Sequence, residues 1–258
     1  MSLIPTLGVK YQVLPSLRTA YDYLDRINLK IGRINLDLFP GDSLNILGSS
    51  SVLTNTLLTK VCVTSLLPKR YGGLCNSSMV FILDAGNNTN VYQFIEFIRR
   101  WGMSIKSTLN RIMISRAFTI HQLTNFIVNE IPNLIEKYSM NIIAIPSLLE
   151  MFCQNAELDI KEIQCVFKVI EKAFRKISRK KNILLVTSVT LNNQIPIIEL
   201  AQRMLLNIFN KNIEINKNKT NDRLTVRIYE KQQHINSVNI RKQSALSMEE
   251  IFKTHESY

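Results

Sequence analysis

Four cysteines, Cys62, Cys75, Cys153 and Cys165, are all the chain has, and no two form a CxxC pair. That spacing argues against a zinc site. Cys62 and Cys165 fall on apolar helical stripes, which predicts buried free thiols and a reducing, cytoplasmic setting. No run reaches the ~18 apolar residues that would span a bilayer. The richest stretch, residues 141–152, is short and carries Pro146 and Glu150. The opening MSLIPTLGVKYQ lacks the long apolar core of a secretory signal. There is no Pro/Gly/Ser-rich linker and no internal repeat, so residues 1–240 read as one domain. Residues 241–258 read as a polar tail, in which Ser247 and Glu250 could cap a short helix. Acidic residues are also scarce. Twenty Asp and Glu face thirty-two Lys and Arg, a formal charge of +12. That surplus favours polyanionic partners such as DNA, although a plain solubility charge would look the same.

What is present is an alternation of short apolar runs with helical stripes. Residues 44–47 (LNIL), 79–83 (MVFIL), 111–115 (RIMIS), 141–145 (NIIAI) and 182–187 (NILLVT) predict buried strands. Helical stripes follow each, such as Val91, Phe94, Ile95 and Ile98, with Gly102 ending that helix. A bend is expected at Pro132 in the helix between residues 120 and 138. Near-continuous apolar strands separated by helices predict an α/β fold, with a mainly parallel sheet covered on both faces. Residues 213–216 and 224–229 predict a late antiparallel hairpin across the polar turn NKNKTND.

Ligands in such sheets bind at the carboxyl ends of the strands. The first strand-to-helix junction reads Gly48-Ser49-Ser50-Ser51-Val52-Leu53-Thr54-Asn55. A phosphate loop needs G-x-x-x-x-G-K-[ST]: glycines to let backbone N–H groups wrap phosphate, Lys to neutralise it, and a hydroxyl for Mg²⁺. Gly48 fits the first position. Leu53, Thr54 and Asn55 stand at the second glycine, the Lys and the hydroxyl. Gly48, Ser49, Ser50, Ser51, Thr54 and Asn55 are the candidate cofactor residues, with Asp84 at the next strand's end.

The order of segments resembles the RecA/RadA recombinases, archaeal RadA paralogues in particular, from about Gly41 to Tyr229. PGDSLNILG is similar to the family's strand leading into its phosphate loop, and Leu67-Pro68 with Gly72-Gly73 to its L-P and glycine pair. FILDAGNN is similar to "vyIDTE", and ISRAFTIHQL, with Arg116, Ala117, His121 and Gln122, to "vaRAynsdHQ". NIIAIPSLLEMF stands at the Walker B segment and ILLVTSVT at "vvvTNQV". The resemblance implies a RecA-like P-loop core. It also implies that the Walker B aspartate is Pro146, the glutamate of "DTE" is Gly86 and the glutamine of "TNQV" is Val189. Removing one such group typically costs on the order of 10²–10⁵ in rate. The expectation is therefore no catalytic residue, no metal and no ATP hydrolysis, with ATP binding left open. The DNA loops after Walker B (residues 154–159) and after "TNQV" (residues 191–196) look short, and neither a helix-hairpin-helix module nor an F-x-x-A element is evident.

Basic residues supply the candidate nucleic-acid contacts: Lys172, Arg175, Lys176, Arg179, Lys180 and Lys181 at one helix end, and Lys217 and Lys219 in the late turn. If the two groups lie close, they make one patch for single- or double-stranded DNA. Arg99, Arg100 and Trp101 end another helix, with Trp101 expected to pack. His121 reads as a helix-start histidine rather than a catalyst, His234 and His255 have no carboxylate or cysteine at ligand spacing, and Asp84 is expected to be solvated or bonded to Asn87. Two functional readings follow. One is a non-catalytic RecA/RadA-like accessory factor in recombination or repair, binding a recombinase, DNA, or both. The other is a nucleotide-sensing or structural regulator similar to the KaiC-related proteins, with no DNA role.

Overall fold

A computed structural model describes residues 21, 24–74, 77–154, 159–180, 182–191, 201, 203, 205–217, 224–231 and 238–246. Its main sheet has eight strands. In chain order these are β3 (Ser43–Gly48), β4 (Val80–Asp84), β5 (Ile112–Arg116), β6 (Ile142–Ile145), β7 (Leu184–Thr190), β8 (Lys211–Lys217), β9 (Leu224–Lys231) and β10 (Val238–Leu246). Their spatial order is β10-β9-β8-β3-β7-β6-β4-β5. Strands β3 to β8 run parallel, and β9 and β10 return antiparallel. The five expected strands and the late hairpin are all present, but β5, expected to be buried, lies at the sheet's edge with its side chains partly exposed.

Side-chain alternation builds two cores. Leu44, Ile46, Val80 and Ile82 face one way, against α1 (Ser51–Ser65) and α2 (Val91–Arg100). Leu47, Phe81, Leu83 and Ile143 face the other, against α4 (Ile120–Asn125), α5 (Ile131–Tyr138) and α7 (Ile160–Ser178). The short helices α3 (Ile105–Leu109) and α6 (Glu150–Gln154) lie in connections. Between α4 and α5 the chain makes a π turn, Phe126–Glu130. Pro132 has no N–H for the carbonyl four residues back, and the widened turn absorbs that loss.

An element not expected from the sequence covers α1. The strands β1 (Ile27–Ile31) and β2 (Ile34–Leu38) pair as a separate antiparallel hairpin. Ile27, Leu29, Ile31, Ile34, Leu36 and Leu38 are all buried on one side of it, in the core that holds α1. Between hairpin and sheet, α1 is buried nearly all round. Its hydroxyls therefore turn back to the helix's own carbonyls: Thr56 to Val52, Thr64 to Lys60, Ser65 to Cys62. The Lys211 ammonium anchors the hairpin, donating to the Asp37 carbonyl at 2.6 Å and the Asp42 carboxylate at 2.7 Å.

Two more expectations are corrected. The polar tail does not begin at residue 241, because residues 238–246 pair with β9 as an edge strand. Residues 247–258, including the expected short helix, lie outside the described residues. Cys165 is exposed, whereas Cys62 is buried as expected. The buried line of α7 is Ile163, Phe167, Ile170, Phe174 and Ile177, and Cys165 lies on the far side of it.

Lys60, in α1, is only 2% exposed. Burial, with the nearby Lys30 charge second, pulls its pKa down from 10.5 to about 8. The unfolded chain then holds the extra proton between those two values, so stability rises with pH across that window. Each pKa unit is worth about 1.4 kcal/mol. Urea unfolding at pH 7 and pH 9.5 checks this: the wild type should gain up to about 2 kcal/mol from this group, and Lys60→Met should lose that gain.

Candidate functional site at the carboxyl end of the sheet

The residues expected to form the phosphate loop do lie at the carboxyl end of a central strand. Gly48 closes β3, Ser49 and Ser50 form the turn, and Ser51 already begins α1. The helix starts early. The Thr54 N–H donates to the Ser50 carbonyl at 3.1 Å, an ordinary helical bond. Leu53 and Thr54 are buried. Only two residues separate strand from helix, too few to wrap a phosphate chain in backbone N–H groups. Gly48 itself is explained by packing: a Cβ there would stand 2.5 Å from the Ile215 carbonyl oxygen and 2.8 Å from the Thr54 methyl.

Asn55 points instead into a polar knot. Its side-chain amide donates to Ser147 Oγ at 3.1 Å, and its carbonyl accepts from Ser188 Oγ at 2.6 Å. Ser188 Oγ in turn accepts from the Ser147 N–H at 2.9 Å. Ser147 and Ser188 are fully buried. Ser147 has φ +51°, a left-handed conformation that costs a non-glycine residue about 1–2 kcal/mol. Ser188 holds it there, because its backbone carbonyl also accepts from the Leu148 N–H at 3.0 Å.

The loop after β4 packs against the same turn. A Cβ on Gly86 would stand 2.7 Å from Ser147 Cβ and 2.8 Å from a Glu150 carboxylate oxygen. That carboxylate accepts from the Asn88 side chain. Asp84 is neither solvated nor bonded to Asn87, contrary to expectation. It is fully buried, accepts from the backbone N–H groups of Asn88 at 3.0 Å and Thr89 at 3.1 Å, and lies 3.5 Å from the Arg116 guanidinium. Its work is to shape the β4–α2 loop. The cavity between Asn55, Thr59, Thr89, Gln93 and Pro146 measures about 10 Å³, about enough for one water.

The chemistry of this donor set is neutral: one amide and two hydroxyls, each bonded to the others. Mg²⁺ is held through carboxylates, waters and substrate phosphates. The knot offers such an ion no carboxylate, and the cavity beside it holds no more than about one water. Among the described residues, no three His, Cys, Asp or Glu side chains gather as a metal site.

A comparison with protein families matches the Rad51 family over residues 45–236. The chain belongs to the Rad51 family. No curated protein matches it in sequence. The Rad51-family match begins inside β3 and ends beyond β9, so the hairpin that covers α1 lies outside it.

The structure does not gather the expected nucleic-acid residues into one patch. Lys172, Arg175, Lys176, Arg179 and Lys180 lie at the end of α7, beside the amino ends of the strands. The Leu184 N–H there donates to the Asn141 carbonyl, just ahead of β6. Lys217 ends β8 at the opposite end of the sheet, beside Ser49, whose N–H donates to the Asn216 side chain. It lines an open depression of about 140 Å³ with Glu214, Asn216, Thr225 and Arg227. Lys181 and Lys219 lie outside the described residues, as do residues 155–158 and 192–196 of the two expected loops.

Sequence reasoning passed over Ser188, Glu150 and Asn88. Ser188 stood next to the flagged Val189, on the other side of the same strand.

The crowding at Gly86 predicts that Gly86→Ala destabilises by roughly 1–3 kcal/mol. Glu150→Ala in the same chain should return part of that loss, because one of the two clashing groups is gone. Asn55→Ala should cost roughly 1–3 kcal/mol by stranding the two serines. Thermal unfolding of the three variants and the wild type measures all three effects.

Proposed function

We propose that this Rad51-family chain is a non-catalytic accessory factor in DNA recombination or repair, binding a RecA/RadA-type recombinase, DNA, or both. The observation that carries this reading is the Asn55–Ser147–Ser188 knot. In phosphoryl transfer nearly all the catalysis is positioned charge. At the positions where the resemblance puts that charge, the chain has Thr54, Pro146 and Gly86, with Asn55 at the hydroxyl that would hold Mg²⁺. None of these is ionisable, and the acid nearest Gly86, Glu150, is bonded to Asn88. The family's fold is retained while these groups are neutral, and that combination suits a partner better than an engine.

The edge strand β5 supports a protein partner. Among the described residues it ends the sheet, with Ile114 40% exposed and Phe118, two residues past its end, 72% exposed. An extended segment of another chain can add a strand at such an edge, and its side chains can use the apolar positions. The charge of +12 supports DNA as the second partner. The KaiC-like alternative needs a bound nucleotide, and the two-residue turn at Ser49 and Ser50 with no cation at Thr54 favours the accessory reading over it. The cytoplasm is the compartment this role implies.

Phosphate release from Mg·ATP, measured with the chain alone and with an intact recombinase, tests the proposal. The expected result is release by the chain alone at the level of the blank, and retention of the recombinase on the immobilised chain. Magnesium-dependent turnover by the chain alone, abolished by Asn55→Ala, would contradict it.

A further inference from the structure

Helices α1, α2, α5 and α7 all follow parallel strands, so all four run back and end at the amino end of the sheet. Hydrogen bonds join the connections there. The Arg111 guanidinium donates to the Leu66 carbonyl, the Val80 N–H to Arg111, the Asn141 N–H to Met79, and the Leu184 N–H to Asn141. This is the pole farthest from the closed site.

The part of this pole built by α5 and α7 is strongly basic. Lys180, just past α7, reaches Glu136 of α5 at 3.1 Å, so the two helix ends lie near each other. Around that contact stand Lys137, Lys172, Arg175, Lys176 and Arg179, all exposed. Six cations thus face two carboxylates, Glu136 and Glu171, the latter bonded to Arg175 at 2.8 Å. Two helix ends contribute only about half a negative charge each. The dipoles and the two acids together leave several cations unbalanced. Tyr138 is 38% exposed, with the Lys137 ammonium 5.1 Å from its ring centre.

We propose that the ends of α5 and α7 form a duplex-DNA-binding face, with Lys137, Lys176, Arg179 and Lys180 on backbone phosphates, and that the carboxyl end of the sheet takes no part. This rests on the DNA arm of the proposed function and adds Lys137 and Tyr138 to it, while removing Lys217. The cations stand on the ends of rigid helices on an open surface. That arrangement suits a duplex, which carries its phosphates outward at one charge per about 1.7 Å. Contacts of this kind carry no base information, so binding is independent of sequence.

The test is fluorescence anisotropy of a labelled 30-base-pair duplex across a salt series, using the full chain. The wild type should bind, with log K falling as log salt rises. The triple variant Lys137→Glu, Lys176→Glu, Arg179→Glu should bind about tenfold or more weakly, with a salt slope smaller by about 2–3. Lys217→Glu should bind like the wild type, and so should the charge-keeping set Lys137→Arg, Lys176→Arg, Arg179→Lys. Equal melting temperatures show that each variant is folded. If the wild type binds the duplex and the triple variant is unaffected, or Lys217→Glu is the one that loses binding, this face is wrong and the proposed function stands. If the wild type binds no duplex at low salt, the DNA arm of that function fails with it. Capture by phosphatidylserine vesicles without duplex binding also overturns the proposal and assigns the pole to a membrane surface.

Discussion

Asn55, Ser147 and Ser188 meet from α1, the turn after β6 and the strand β7, across 92 and 133 residues of chain. Everything particular about the carboxyl end of this sheet follows from their mutual hydrogen bonds. Neutral groups that satisfy one another can be buried at little cost, whereas a lone buried charge would need a partner or a metal. With the knot in place, the turn at Ser147 is drawn down onto Gly86. Residue 86 must then be glycine, and the loop that follows is pinned by Asp84. The early start of α1 belongs to the same arrangement, since it places Asn55 on the face of the helix that meets Ser147 and Ser188.

The fold does not depend on that chemistry. Its two cores are made of Leu, Ile, Val and Phe on alternating strand positions, and the site residues contribute little to either. The strand order of this Rad51-family sheet therefore rests on its apolar cores and not on the hydrogen-bonded groups at its carboxyl end. The hairpin of β1 and β2 deepens the burial of α1 on the far side, and this explains why a helix of mixed apolar and hydroxyl residues shows no clear polar face.

Strands β3, β4, β6 and β7 were legible because both faces of each are buried and their apolar runs are nearly continuous, and the edge strand β5 was legible from its apolar run alone. Strand β10, VNIRKQSAL, was not, because its composition is that of a polar tail and only pairing with β9 makes it a strand. The first hairpin was legible in principle, as INLKI and INLDL alternate around Gly32-Arg33. Asn55 and Asp84 were picked out by position, but their work was not, because their partners come from a knot of distant segments and from a loop's own backbone. Cys165 was misplaced by two residues of helical phase. The two basic groups could be named from sequence. That α7 returns one of them to the opposite end of the sheet from Lys217 is a consequence of parallel topology.

The central claim is that neutral side chains already fill the place of metal and phosphate. A crystal structure of the chain grown with millimolar magnesium and a non-hydrolysable ATP analogue tests it most directly. The account predicts Asn55, Ser147 and Ser188 bonded to one another, with Gly86 still against Ser147. A magnesium ion among them, with a triphosphate wrapped by residues 48–54, would contradict it.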